Sequence, residues 1–197
     1  DNYARQLTDN QSTMLAERFQ SKAQTLLDAF LETHPENSLA AIAYLARWGQ
    51  DERVLVMLEE ALADRPGAQF AAAARDVVAP LASQPQAQGR LIDLLQRAAE
   101  KHGRTPQLLL LLATLHQAAE RYDRLEAVYS ELLKQQPENV LILNGLAELL
   151  ALQNTQPRRA LDLIDRAIRL GGPRPMFLDT RASVYRALGE PQKAIED

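Results

Sequence analysis

The sequence predicts an all-α fold built as a helical solenoid, and three observations carry that reading. Apolar residues recur with a 34-residue period, helix-stopping Gly and Pro fall between the recurrent blocks, and no segment alternates with period two over a useful length. Composition agrees: 46% of the 197 residues are hydrophobic but only 5% are aromatic, so small and aliphatic side chains at helix crossings supply the packing. A solenoid spreads its core along its length, so chain length here counts repeats.

The first element is a helix over 11–34, the second helix of a partial first repeat spanning 1–37. Its Ala23, Leu27 and Phe30 stand ahead of Pro35 at the offsets that Leu125, Tyr129 and Leu132 keep from Pro137, and the triplet Pro35-Glu36-Asn37 recurs in phase as Pro137-Glu138-Asn139. In the repeat 38–68, Leu45 and Trp48 are expected in the core of the first helix. Val54, Leu58, Ala61 and Pro66 then arrive three residues early, so the turn at Gly49-Gln50-Asp51 is shortened. The repeat 69–105 recovers those residues over 67–71, lengthening its first helix by about one turn. Pro80 is expected to kink or end that helix, and Ala79, Leu91, Leu95, Ala98 and Gly103 rejoin the register.

The repeat 106–139 carries Leu109, Leu112, Ala113 and His116 on its first helix and Leu125, Tyr129 and Leu132 on its second. The repeat 140–174 answers with Leu143, Leu146, Ala147 and Leu150, then Ala160, Ile164 and Ala167, with one extra residue in the turn between. Gly49, Gly67, Gly103, Gly171, Gly172 and Gly189 sit where helices stop. The segment 175–197 is a truncated last repeat, with Leu178, Ala182 and Tyr185 expected to be only partly covered. A start at Asp1 and an end inside a helix predict that the native protein continues, or that the uncapped C-terminal end self-associates.

Several function classes are disfavoured. A net charge of −4 and a pI near 5.5 offer no attraction for a polyanion, so nucleic acid is not an expected partner. There is no cysteine, hence no disulfide, thiolate metal site or cysteine nucleophile. His34, His102 and His116 lack partners at zinc-helix spacings, so no metal is expected, and His116 reads as a partly buried core residue. Glycines never cluster as a phosphate loop or nucleophile elbow, so no cofactor and no catalysis are expected. The longest apolar run, Leu108 to Leu115, is far shorter than the roughly 20 residues of a membrane helix. On the helix carrying Arg158, Asp162, Asp165, Arg166 and Arg169, opposite charges fall at i,i+4, which reads as a solvated outer face.

Counted from Pro175 as position one, Ala182, Tyr185, Gly189 and Ala194 fall at 8, 11, 15 and 20. This spacing resembles the tetratricopeptide repeat, closely over 106–197 and in degenerate form over 11–105. The Trp of family position 4 is replaced by Leu109, Leu143 and Leu178. The resemblance implies antiparallel helix pairs in a right-handed superhelix, the first helix of each pair lining a concave groove.

Groove positions 2, 5, 9 and 12 carried over from the family are Gln107, Leu110, Thr114 and Gln117, then Leu141, Asn144, Glu148 and Ala151, then Met176, Asp179, Ser183 and Arg186. Asn144 and Glu148 are expected to project together. The lysines of the family's carboxylate clamp are missing, and Glu148 and Asp179 repel carboxylates, so the expected ligand is a basic or amide-rich peptide. The leading expectation is a protein-binding scaffold without catalysis in this segment. The alternative is a regulatory or substrate-docking arm of a larger enzyme. RNA binding by a related repeat would need a basic groove, which is lacking.

Overall fold

The computed structural model describes residues 2–196, with side chains at 12–15 and 18–196. Among the described residues there are eleven α-helices and no strand. They are α1 (Asn2–Thr33), α2 (Ser38–Arg47), α3 (Asp51–Asp64), α4 (Gly67–Ala82), α5 (Pro85–His102) and α6 (Pro106–Ala118), then α7 (Tyr122–Gln135), α8 (Val140–Gln153), α9 (Pro157–Gly171), α10 (Pro175–Leu188) and α11 (Pro191–Glu196). A 3-10 turn, Pro35–Asn37, separates α1 from α2. From α2 onward the helices pair as antiparallel hairpins stacked into an α-solenoid.

Helix starts follow from local chemistry. Proline occupies the first turn of α5, α6, α9 and α10, where its missing N–H is no loss and its fixed φ suits the helix. The Thr105 hydroxyl caps α6 by accepting from the Leu108 N–H at 3.4 Å, and the Asn139 side chain caps α8 by accepting from Leu141 and Ile142. Turns inside four hairpins reverse through a residue with positive φ: Gly49, Glu120, Asn154 and Gly189. Glycine takes that conformation without cost and asparagine at a small one, so Glu120 is the most strained member of the set.

The helices form two layers. α2, α4 and α6 stack in one, α3 and α5 in the other; α7 links α6 to α8, and α8 packs on α9 and α10. Between the layers lie Leu45, Leu58, Leu91, Leu95, Leu109, Leu143, Leu146 and Ile164, all fully buried. Each such side chain contributes about 1.5–3 kcal/mol, spread along the array instead of concentrated in one centre. Ala74, Ala98, Ala147, Ala160 and Ala167 are equally buried and let neighbouring backbones approach closely.

Polar ties run along the outer edge of α3 and α5. Arg90 pairs with Glu52, Arg97 pairs with Glu59 at 2.6 Å, and Lys101 Nζ donates to the Leu62 and Ala63 carbonyl oxygens at 2.7 Å each. The first two ties are separated by seven residues on both helices, two full turns, which keeps them on one edge.

Four local expectations are corrected. The helix expected over 11–34 is α1, which begins at Asn2 and ends at Thr33. Within it Phe30 is 45% exposed and stacks on the His34 ring at 4.6 Å, whereas Leu132 at the same register position is fully buried. On α1 it is Leu27, three residues earlier, that packs against the core, while the Phe30 ring turns to His34 of its own chain. Trp48 is 44% exposed, because α2 ends at Arg47 and the shortened turn begins one residue later. On α9, Asp165 reaches across to Arg181 of α10 at 3.5 Å instead of pairing with Arg169.

Pro80 does not break α4 at once; the helix runs on to Ala82. Buried Gln88 of α5 then donates from Nε2 to the Ala82 carbonyl oxygen at 2.7 Å, satisfying an acceptor that the helix end leaves open.

Candidate functional site

The residues expected to line the groove stand on the even-numbered helices. Leu110, Thr114 and Gln117 are exposed on α6, Glu148 on α8, and Asp179, Ser183 and Arg186 on α10. Thr114 turns back on its own helix, donating its hydroxyl to the Leu110 carbonyl at 3.1 Å. Asn144 departs from the pattern: it is 5% exposed, with Oδ1 buried and unpartnered. Because α8 has close neighbours in α7, α9 and α10, its register position 5 is covered. The expected joint projection of Asn144 and Glu148 is therefore corrected to Glu148 alone.

Glu148, Ser183 and Arg186 come together in a cleft of about 470 Å³ between α8 and α10, completed by Ala151, Leu152, Asn154 and Ala187. Helical periodicity explains the grouping, since 148, 151 and 152 share one face of α8, and 183, 186 and 187 share one face of α10. Leu110, Thr114, Gln117 and Asp179 lie outside this cleft. Neither the Glu148 carboxylate nor the Arg186 guanidinium closes an ion pair among the described residues. Opposite charges thus line one small concavity without neutralising each other by contact.

Sequence reasoning missed Leu152, Asn154 and Ala187. Asn154 is the left-handed residue that ends α8, at φ 50° and ψ 31°. Its signal was available: an amide residue at a helix end, in the turn where one residue is added to the 34-residue register. Glu148 also reaches beyond the cleft toward α7. The Tyr129 phenol is pushed above its ordinary range, first by burial and then by the Glu148 charge. A Cβ on Gly145 would meet the Tyr129 ring at 3.1 Å, so Gly145 is what admits this ring against α8.

Residues 106–149 match the family described as tetratricopeptide repeat. Over that stretch the chain matches the repeat family, and the array as a whole has the fold of a helical solenoid. Its fold is similar to that of MamA (AMB-1), at 15% identity and a TM-score of 0.61, over 84% of this chain and 88% of that one. It is equally similar to YrrB, described as a TPR protein with an unusual peptide-binding site: 14% identity, TM-score 0.61, 86% of this chain and 87% of that one. TTC0263, a thermophilic TPR protein from Thermus thermophilus, follows at 15% identity and TM-score 0.53, over 82% and 86% of the two chains. These likenesses concern the fold. No curated protein matches the sequence.

The solenoid carries a second concavity, about 760 Å³, at the α6–α7 turn, lined by Asp93 and Gln96 of α5 and by His116, Glu120, Arg121 and Arg124 among others. His116 is 3% exposed with Nδ1 buried and unpartnered. Its imidazole is held below its ordinary pKa, mainly by burial and further by the Arg121 and Arg124 charges. At neutral pH it is an uncharged core residue, more deeply buried than its register position suggested. Among the described residues no group of three or more His, Asp or Glu side chains could hold a metal ion, and no helix is long and apolar enough to cross a membrane.

Proposed function

We propose that this chain is a protein-interaction module whose tetratricopeptide-repeat groove holds a peptide segment of a partner protein. The observation that supports the reading is the convergence of Glu148, Ser183 and Arg186, with Ala151 between them, in one cleft at the groove surface. Apolar seats flank it on the same layer: Leu110, Leu141 and Met176 are 44%, 57% and 46% exposed. Exposed side chains of that size are natural anchors for a partner's apolar residues, with polar groups between them setting orientation. Glu148 and Asp179 disfavour an acidic tail, which leaves a basic or amide-rich segment. Leu110, Thr114 and Gln117 extend the contact toward α6.

The test is selection of peptides from a random display library on the intact chain, followed by amide-exchange mapping of the complexes. Protection concentrated in α6, α8 and α10 is expected. Selected peptides that protect only α7 and α9 would overturn the assignment of the groove.

A further inference from the structure

Resting on that groove reading, we propose that the cleft between α8 and α10 is a carboxamide subsite, taking the side chain of a glutamine or asparagine on the bound peptide. Four polar side chains line it: Glu148, Arg186, Ser183 and Asn154. An ionised carboxylate only accepts hydrogen bonds and a guanidinium only donates them, whereas a primary carboxamide does both, through NH₂ and through C=O. An amide lying between Glu148 and Arg186 therefore satisfies both charges at once, donating to the first and accepting from the second. The Ser183 hydroxyl and the Asn154 amide each serve either role.

Other side chains satisfy only part of this arrangement. A lysine ammonium pairs with Glu148 but faces the Arg186 charge in the same cleft. A glutamate carboxylate pairs with Arg186 but faces Glu148. A leucine removes water from two charged groups and returns no hydrogen bond, which is the costly case. Ala151, Leu152 and Ala187 line the same cleft and provide apolar surface for the methylenes of a glutamine. A volume of about 470 Å³ lies within the range of about 300–1,000 Å³ common for small-ligand sites. Of the two partner chemistries expected from sequence, basic and amide-rich, the presence of Arg186 beside Glu148 selects the second.

The experiment is a ¹H–¹⁵N chemical-shift titration of the whole chain with four capped pentapeptides, acetyl-Gly-Gly-X-Gly-Gly-amide, where X is Gln, Lys, Glu or Leu. Their backbones are identical, so differences report on X. The Gln peptide is expected to shift amides at 151–154 and 183–187 and to bind about five-fold tighter than the other three, the worth of one net hydrogen bond. In Arg186→Gln the Lys peptide is expected to overtake the Gln peptide, and in Glu148→Gln the Glu peptide is expected to do so. Both positions are exposed, so both variants fold.

A wild-type chain that binds the Lys or Glu peptide as tightly as the Gln peptide overturns the subsite, as does a Gln peptide that shifts residues elsewhere or none. Library-selected peptides that protect α8 and α10 but place no Gln or Asn at the cleft overturn the subsite and leave the groove reading standing. Selected peptides that bind outside the groove overturn the groove reading itself.

Discussion

Lys101→Met should destabilise the chain by about 1–2 kcal/mol, although residue 101 is exposed and pairs with no acid among the described residues. The last four carbonyls of a helix lack intrahelical donors. In α3 the Ala61 oxygen is taken by the Arg65 N–H at 2.9 Å, and the next two, Leu62 and Ala63, are taken by Lys101 Nζ at 2.7 Å each. A hydrogen bond with one charged partner contributes about 1.5–3 kcal/mol, but the two do not simply add. The Ala63 carbonyl lies in an exposed contact that water refills once the ammonium is gone, whereas the Leu62 carbonyl is part-buried and is only partly rehydrated. One retained loss and one near-neutral exchange give the stated range. Methionine keeps most of the aliphatic stem, which isolates the ammonium from packing.

Urea denaturation followed by far-UV circular dichroism measures the difference, and the melting temperature should fall by about 2–4 °C per kcal/mol in a chain of this size. Because the acceptors are neutral carbonyls, the loss should persist in high salt. Arg97→Met, which breaks an exposed pair with Glu59, should cost about 0–1 kcal/mol and lose its effect as salt rises. A Lys101→Met chain within about 0.3 kcal/mol of wild type, a difference of the size of an ordinary surface substitution, would refute the capping argument.

Glu120→Gly should stabilise by about 1 kcal/mol, since Glu120 sits at φ 52° in a hairpin turn where Gly49 and Gly189 occupy the corresponding places; chemical denaturation checks the sign. Because His116 is held below its ordinary value, it supplies stability that is complete above the unfolded pKa near 6.5 and declines as pH falls toward the folded value. His116→Leu, matching Leu150 at the equivalent position, should therefore flatten the dependence of the urea midpoint between about pH 7.5 and pH 5.5; an unchanged slope would assign that dependence to other groups. Asn144→Ala should cost less than about 1 kcal/mol despite 5% exposure, because its amide oxygen is unpartnered. The adjacent Leu143→Ala, at 0% exposure, should cost about 2–5 kcal/mol. Equal losses at the two positions would mean that the Asn144 amide is better satisfied than its geometry indicates.

The fold was legible where the register and the helix neighbours agree. Leu109, Leu112, Leu143, Leu146, Ile164 and Ala167 are buried as their 34-residue recurrence requires, because each lies on a helix packed against at least two others. Phe30 keeps the phase but not the burial, since periodicity specifies which face a residue takes and says nothing about what covers that face. Trp48 fails for a backbone reason: the three residues removed from its turn end α2 before the tryptophan can face inward. The site was legible in part. Glu148, Ser183 and Arg186 line one cleft because helical spacing sets each on one face of its helix and α8 packs on α10. Asn144 does not join them because the closeness of α7, α9 and α10 around α8 is a packing outcome that position-by-position transfer cannot carry. Asn154 joins through a left-handed turn, a backbone feature that apolar periodicity does not report.

The ties between α3 and α5 have a mechanical meaning beyond their contribution to stability. By bridging two outer helices at successive turns they hold the outer edges of the hairpins α2–α3 and α4–α5 together and set their relative register. The stretch from residue 38 to residue 102 is thus cross-linked along its outer layer as well as packed through its core. A tie of the same kind recurs further along, where Arg159 of α9 pairs with Glu126 of α7 at 2.8 Å. The cleft of Glu148 and Arg186 lies between α8 and α10, beside the helices that this second tie joins.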